Sequence, residues 1–144
     1  MNKKAFIKKY FEFLEQSGLS ANRVRVSYGG ALLMLGLRTS TDDLDLDIPK
    51  ESYEHLVTTH KLKREMRKVG ECANWNRDVS LKADGDLSKG VFIDGVWVDT
   101  PEDVLRRKKA LNRPKDQEDI VKLTRLIEYN TPTSPKKSRS WVNW

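Results

Sequence analysis

Apolar residues along the chain change period several times, and each change marks an element. Phe6, Ile7, Tyr10, Phe11, Phe13 and Leu14 recur at helical spacing among Lys and Glu, which predicts an amphipathic helix that Gly18 can end. Arg23 to Tyr28 alternates basic or polar residues with Val24, Val26 and Tyr28, a short strand pattern. Gly29-Gly30 then opens the apolar run Ala31-Leu32-Leu33-Met34-Leu35, a helix that Gly36 can terminate. Asp43 to Ile48 alternates strictly and stops at Pro49, as a half-buried strand does. Lys50 to His60 predicts a helix with Tyr53, Leu56 and Val57 facing inward.

The second half gives sparser signals. Lys61, Lys63, Arg64, Arg67 and Lys68 stand against one acid, Glu65, and the run fits either an extension of the preceding helix or a basic strand. Val79-Ser80-Leu81-Lys82 reads as a strand. Phe92 to Val98 reads as a hairpin, because Asp94-Gly95 suits a two-residue type I′ turn. Thr100-Pro101-Glu102-Asp103 is a helix start: hydroxyl cap, proline in the first turn, acids near the positive end of the helix dipole. A last helix is predicted from Asp116 through Ile120, Leu123 and Ile127. Residues 1–130 are therefore expected to form one domain, and 131–144 a basic, loose tail. In that tail Lys136, Lys137 and Arg139 precede Trp141 and Trp144, a mixture that either meets phosphates and bases or packs back on the body.

Composition narrows the partners. The 144 residues carry a formal charge of +6 with pI near 9.4, which favours an anionic partner such as nucleotide or nucleic acid. Residues 101–144 hold eleven Lys/Arg against six Asp/Glu, so much of the excess sits at the carboxyl end. Cys72 is the only cysteine, which excludes an internal disulfide and fits a reducing compartment. The start of the chain lacks a signal-peptide apolar run, and no stretch reaches the roughly 20 apolar residues of a membrane span. These features predict a cytoplasmic protein with no membrane partner.

The acidic strand carries the chemistry. Asp43, Asp45 and Asp47 project to one side of a strand while Leu44, Leu46 and Ile48 project to the other. Three carboxylates on one face repel unless cations offset them. A calcium loop accounts poorly for them. Asp43, Asp45, Asp47 and Glu54 do fall at loop positions one, three, five and twelve, but Ile48 stands where the sharp turn needs glycine. Gly29-Gly30, at a strand-to-helix turn, lets a phosphate approach main-chain N–H groups. The pair is neither a P-loop nor a dinucleotide fingerprint, since both the Gly-Lys-Ser/Thr and the third glycine are missing.

Gly29-Gly30, the helix after it, and Arg38-Thr39-Ser40-Thr41-Asp42-Asp43-Leu44-Asp45-Leu46 resemble the signature of the nucleotidyltransferase superfamily: a Gly-Gly or Gly-Ser pair, roughly ten residues, then Asp-hydrophobic-Asp. The carboxyl end, Thr100 to Leu105 and Lys108 to Asp116 followed by Asp119-Ile120, is similar to a segment of the small abortive-infection and toxin-type nucleotidyltransferases. The likeness covers roughly residues 24–127. It implies an α/β (α+β) fold, a compact small mixed sheet flanked by helices. It also implies transfer of a nucleoside monophosphate from an NTP to a hydroxyl, with release of pyrophosphate. In that scheme Asp43 and Asp45 would hold two Mg2+ ions, and a third carboxylate would come from a later strand beside theirs, with Asp78 as best match and Asp84, Asp86 or Asp94 as alternatives. Gly29 and Gly30 would face the nucleotide's phosphates, and Lys108, Arg113 and Lys115 those of the triphosphate or of the acceptor. Arg38 either contacts phosphate or pairs with the acidic strand, while Asp116, capping the last helix, and Asp119, pairing with a basic residue, read as structural. The acceptor is expected to be RNA, for instance a tRNA end, or a protein, as in toxin–antitoxin pairs. The alternative is a catalytically inactive scaffold that binds nucleic acid or a protein partner.

Overall fold

The side chain of Asn2 accepts a hydrogen bond from Ala5 N–H and opens α1 (Lys3–Ser17), which closes at Gly18. A computed structural model describes residues 1–130; the expected tail, 131–144, lies outside the described residues. Four further helices follow: α2 (Tyr28–Met34), α3 (Lys50–His60), α4 (Pro101–Leu111) and α5 (Gln117–Asn130). Thr100 Oγ1 accepts from Asp103 N–H at the start of α4, with Pro101 in its first turn, as its residue types predict. No helix among the described residues is long and apolar enough to cross a membrane.

The strands are β1 (Arg25–Ser27), β2 (Leu44–Ile48), β3 (Arg64–Arg67), β4 (Gly70–Asn74), β5 (Val79–Ala83), β6 (Val91–Ile93) and β7 (Val96–Val98). They form one mixed sheet in the order β3-β4-β5-β2-β1-β7-β6, parallel at β2/β5 and β1/β7 and antiparallel elsewhere. The described residues thus form a mixed α/β fold with five α-helices and a seven-stranded mixed sheet. The β6–β7 hairpin turns on Asp94 (φ 51°) and Gly95 (φ 79°), both left-handed as a type I′ turn requires.

Side-chain alternation divides the sheet. Val26, Leu44, Leu46, Ile48, Ala73, Val79 and Leu81 enter a core shared with Phe6, Tyr10 and Phe13 of α1, Leu32 and Leu33 of α2, and Tyr53 and Leu56 of α3. The opposite face is polar. Register places Ser27, Asp45, Ser80 and Asn74 side by side across four strands, and Asp47 between Arg25 and Lys82.

Three local outcomes differ from the sequence pattern or resolve what it left open. Helix α2 opens at Tyr28, ahead of the glycine pair. The basic run becomes strand β3, because Lys61 adopts φ 52° and ends α3 with its N–H bonded to Val57 O. Strand β4 had no clear signal, since only Cys72 and Ala73 of Gly-Glu-Cys-Ala-Asn are apolar; it is held by pairing on both sides.

Gly30 faces the core. A Cβ there would lie 2.5 Å from Phe6 Cζ and 2.8 Å from Val26 Cγ1, both in fully buried side chains. Gly30→Ala is expected to destabilise the fold by roughly 1–3 kcal/mol through overpacking, more than the helix propensity it gains. A lowered urea midpoint with unchanged slope would show this; an equal or higher midpoint would refute it.

Candidate active site

Above the polar face lies a cleft of about 570 Å³, walled by the α2 turn, the segment before β2, β5, the β3–β4 hairpin and the α4–α5 junction. Of the residues singled out in the sequence, Gly29, Arg38, Asp43, Asp45, Lys108, Arg113 and Lys115 all line it. Seven Lys/Arg and five Asp side chains do so, which makes the cleft net positive although its floor is acidic.

Asp43, just before β2, is exposed; Asp45 is half-buried. Burial raises the pKa of Asp45, and the neighbouring Asp43 charge raises it further against the pull of Arg67. A carboxylate so placed is stabilised by an added cation.

Asp47 has a different role. Fully buried, it accepts from Arg25 Nε at 3.3 Å and Nη2 at 3.2 Å, and lies 3.6 Å from Arg107 Nη1. Arg25 Nη2 also reaches Asp84 at 2.8 Å, and Asp99 lies 3.8 Å from Arg25 Nε and 3.4 Å from Arg107 Nε. Two guanidiniums thus serve three carboxylates, and burial pushes Asp99 up to about 6.

Asp78 does not join Asp43 and Asp45. It stands before β5, ion-paired to Lys9 of α1, and lines a separate small groove with Glu12, Phe13, Gln16 and Trp75. The reason is local. Asn76 Oδ1 accepts from the N–H groups of Asp78 and Val79 in a turn before the strand, which swings Asp78 toward α1. The alternatives do not replace it: Asp84 is bound to Arg25 and Arg107, Asp94 pairs with Lys3 on the β6–β7 turn, and Asp86 lies outside the cleft, bound to Ser88. Beside Asp45 and Asp47, β5 instead presents Ser80 and Lys82.

The α4–α5 wall is cationic but largely paired. Buried Lys108 lies 3.0 Å from Asp116 and 3.3 Å from Asp119, Arg113 lies 2.7 Å from Asp116, and Arg38 lies 2.6 Å from Asp119. Asp116 also accepts from Arg113 N–H, closing a cap on the turn that leads into α5. Asp116 and Asp119 are therefore structural counter-charges, as their residue types suggest, while Lys115 is exposed at the rim. The Arg113 and Lys108 bonds hold the Asp116 carboxyl far below its usual value. A depressed folded pKa means that this stabilisation is present above about 3.8 and is lost as pH falls below it. Acid titration should loosen the α4–α5 junction first, and Asp116→Asn should flatten the wild-type loss of stability below pH 4. Parallel stability–pH curves for the two proteins would count against this.

Sequence reasoning missed Tyr28 and Arg107. Tyr28 holds φ 52° at the first residue of α2, a conformation rare for a non-glycine residue, and its ring centroid lies 5.8 Å from Arg107 Cζ. Its only sequence signal is adjacency to Gly29; Arg107 is hidden in a run of four basic residues on α4. Gly30, expected at the nucleotide, faces Phe6 and is absent from the cleft lining.

Asp43 and Asp45 are the residues of the cleft that could hold Mg2+. Among the described residues no three His, Cys, Asp or Glu side chains converge as a metal-holding group. Mg2+ commonly takes one or two carboxylates and completes its shell with water and substrate phosphates. Asp43 and Asp45 offer two carboxylates to the cleft, and among the described residues no three-carboxylate centre is assembled. Compared with family models, with characterised proteins and with solved structures, the chain gives no match.

Proposed function

We propose that the chain is a Mg2+-dependent nucleotidyltransferase that moves a nucleoside monophosphate from an NTP to a hydroxyl acceptor, RNA or protein, in a cytoplasmic setting. The observation that carries this reading is the meeting, in one cleft, of the Gly29 turn, the Asp43–Asp45 pair and the cations Lys108, Arg113 and Lys115. In the transfer, the acceptor oxygen forms a bond to the α-phosphorus, the α–β bridging bond breaks, pyrophosphate leaves with that electron pair, and the acceptor proton passes to solvent. Mg2+ bound at Asp43 and Asp45 would supply charge neutralisation at the phosphates and acidify the attacking hydroxyl. Lys115, Lys108 and Arg113 hold the triphosphate in line, where positioning and electrostatics supply most of the rate. Gly29 leaves room beside Arg38 and Thr41, since a Cβ there would lie 2.9 Å from Arg38 Nη1.

A second reading, an inactive scaffold binding nucleic acid or a protein, is favoured by Ser80 and Lys82 standing where a third carboxylate is expected. One experiment separates the two. The full chain is incubated with each α-labelled NTP, Mg2+ and total RNA or lysate. Label entering RNA or protein, lost on chelation and in Asp43→Asn, supports transfer. No label with any NTP, alongside salt-sensitive nucleic-acid binding that survives chelation, supports the scaffold.

A further inference from the structure

The cleft has a second cationic wall that the triphosphate does not need. Arg67 and Lys68 sit where β3 turns toward β4, and Lys82 stands on β5 beside Asp47; all three line the same cleft as Asp43 and Asp45. Arg67 is fixed across three strands: Nη1 donates to Ser80 Oγ at 3.1 Å, and Nη2 to Asn74 Oδ1 at 2.8 Å and Glu65 Oε2 at 3.1 Å. A guanidinium has five N–H donors, so this pinning leaves Nε–H and one Nη1 hydrogen without an acceptor among the described residues. Lys82 gives its ammonium to the Val69 carbonyl rather than to a carboxylate, and Lys68 makes no hydrogen bond or ion pair among the described residues.

The two walls differ in how their charge is answered. On the α4–α5 side Asp116 and Asp119 offset Arg38, Lys108 and Arg113. On the hairpin side Glu65 is the one carboxylate in a direct ion pair with these three cations among the described residues, while Asp45 meets Arg67 only at longer range and Asp47 stands beside Lys82. Holding them together costs repulsion that an anion would remove.

We infer that Arg67, Lys68 and Lys82 form a second phosphate subsite, which holds the phosphodiester preceding the accepting hydroxyl of a polynucleotide. The inference rests on the transferase reading and selects among its acceptors. A 3′-terminal hydroxyl always follows a phosphodiester, so an anion arrives beside the attacking oxygen. A Ser, Thr or Tyr acceptor carries no such obligatory anion and would leave this wall unanswered. Fixing the phosphodiester on one wall and the triphosphate on the other places the hydroxyl over the Asp43–Asp45 floor between them.

The test measures binding, so it does not depend on turnover. Anisotropy of a labelled single-stranded RNA dodecamer with a free 3′ end is followed with the full chain across a salt series. Binding of a fluorescent ATP analogue with Mg2+ is measured in parallel. Lys68→Ala, at the hairpin tip, and Lys82→Gln are each expected to weaken RNA binding several-fold. Each should make the slope of log K against log salt shallower by about 0.7 while leaving the ATP analogue within twofold. A matching DNA strand identifies the source: equal loss assigns the subsite to the phosphodiester alone, and loss confined to RNA adds ribose recognition. Unchanged RNA affinity and slope in both variants, no RNA binding by the wild type, an equal loss of the ATP analogue, or competition by poly-glutamate as strong as by RNA would each overturn the assignment. An inactive chain that passes these tests loses the transferase reading and keeps the subsite; an active one that fails them keeps transfer and loses it.

Discussion

Asp45→Asn is expected to lower nucleotide transfer by more than about 100-fold while the folded protein becomes no less stable. The first half follows from the role proposed for Asp45. Loss of a group that only orients a metal ligand typically costs about 10–100-fold, so loss of the ligand itself should exceed that range. The second half follows from electrostatics. Burial and the Asp43 charge raise the Asp45 pKa, so at neutral pH its ionised form costs folding free energy when no cation is present. Asparagine removes the charge, keeps the shape and relieves the repulsion. Thermal unfolding without Mg2+ should therefore shift level or upward, and the rise in Tm expected of the wild type with Mg2+ and NTP should vanish. Activity within tenfold of wild type, or a clear loss of stability without Mg2+, would contradict this.

The fold was legible where periodicity was strong. Helix α3 falls on Lys50–His60 as predicted, and both the Asp94-Gly95 turn and the Thr100-Pro101 start match their turn and cap chemistry. Strand β4 was not legible, because its stability comes from neighbours on both sides rather than from its own pattern. At the site, residues close in sequence were read best. Asp43, Asp45 and Gly29 reach one cleft because β2 pairs with β1, whose end leads directly into the α2 turn. Gly30 was misplaced because adjacent residues on a helix diverge by about 100°, so one glycine can face the cleft while the next meets Phe6. Asp78 was misplaced because order along the chain does not reveal that the Asn76 turn redirects it toward Lys9. The Arg25–Asp47–Asp99–Arg107 cluster was invisible for a similar reason: its members come from three separate elements and the link between β7 and α4, and a charged residue in sequence carries no mark of burial.

That cluster sets the largest expected stability effect. Arg25→Met should destabilise the protein by about 3–5 kcal/mol, the usual cost of removing one partner from a buried charge pair. Arg25 is only 2% exposed and contacts Asp47, Asp84 and Asp99, so its loss leaves Arg107 as the one guanidinium among the described residues for three carboxylates. Packing loss alone is a smaller effect, because methionine fills much of the same volume; Arg25→Met combined with Asp47→Leu should therefore recover part of the deficit. The pH dependence gives an independent check through Asp99, both of whose buried oxygens lack a hydrogen-bond partner among the described residues. Its folded pKa is raised to about 6, so its stabilising contribution is fully present below the usual value near 3.8 and is lost as pH rises through about 6. Removing Arg25 withdraws a charge that holds this pKa down, which should move the upper end of that window to higher pH. Asp99→Asn should remove its share of the dependence in both backgrounds, leaving the share of Asp45 and Asp47, whose carboxyl pKa values burial also raises. Urea titrations at several pH values would measure all three effects. A single-variant cost below about 1 kcal/mol would instead mean that the cluster is hydrated and its charges are screened as surface pairs are.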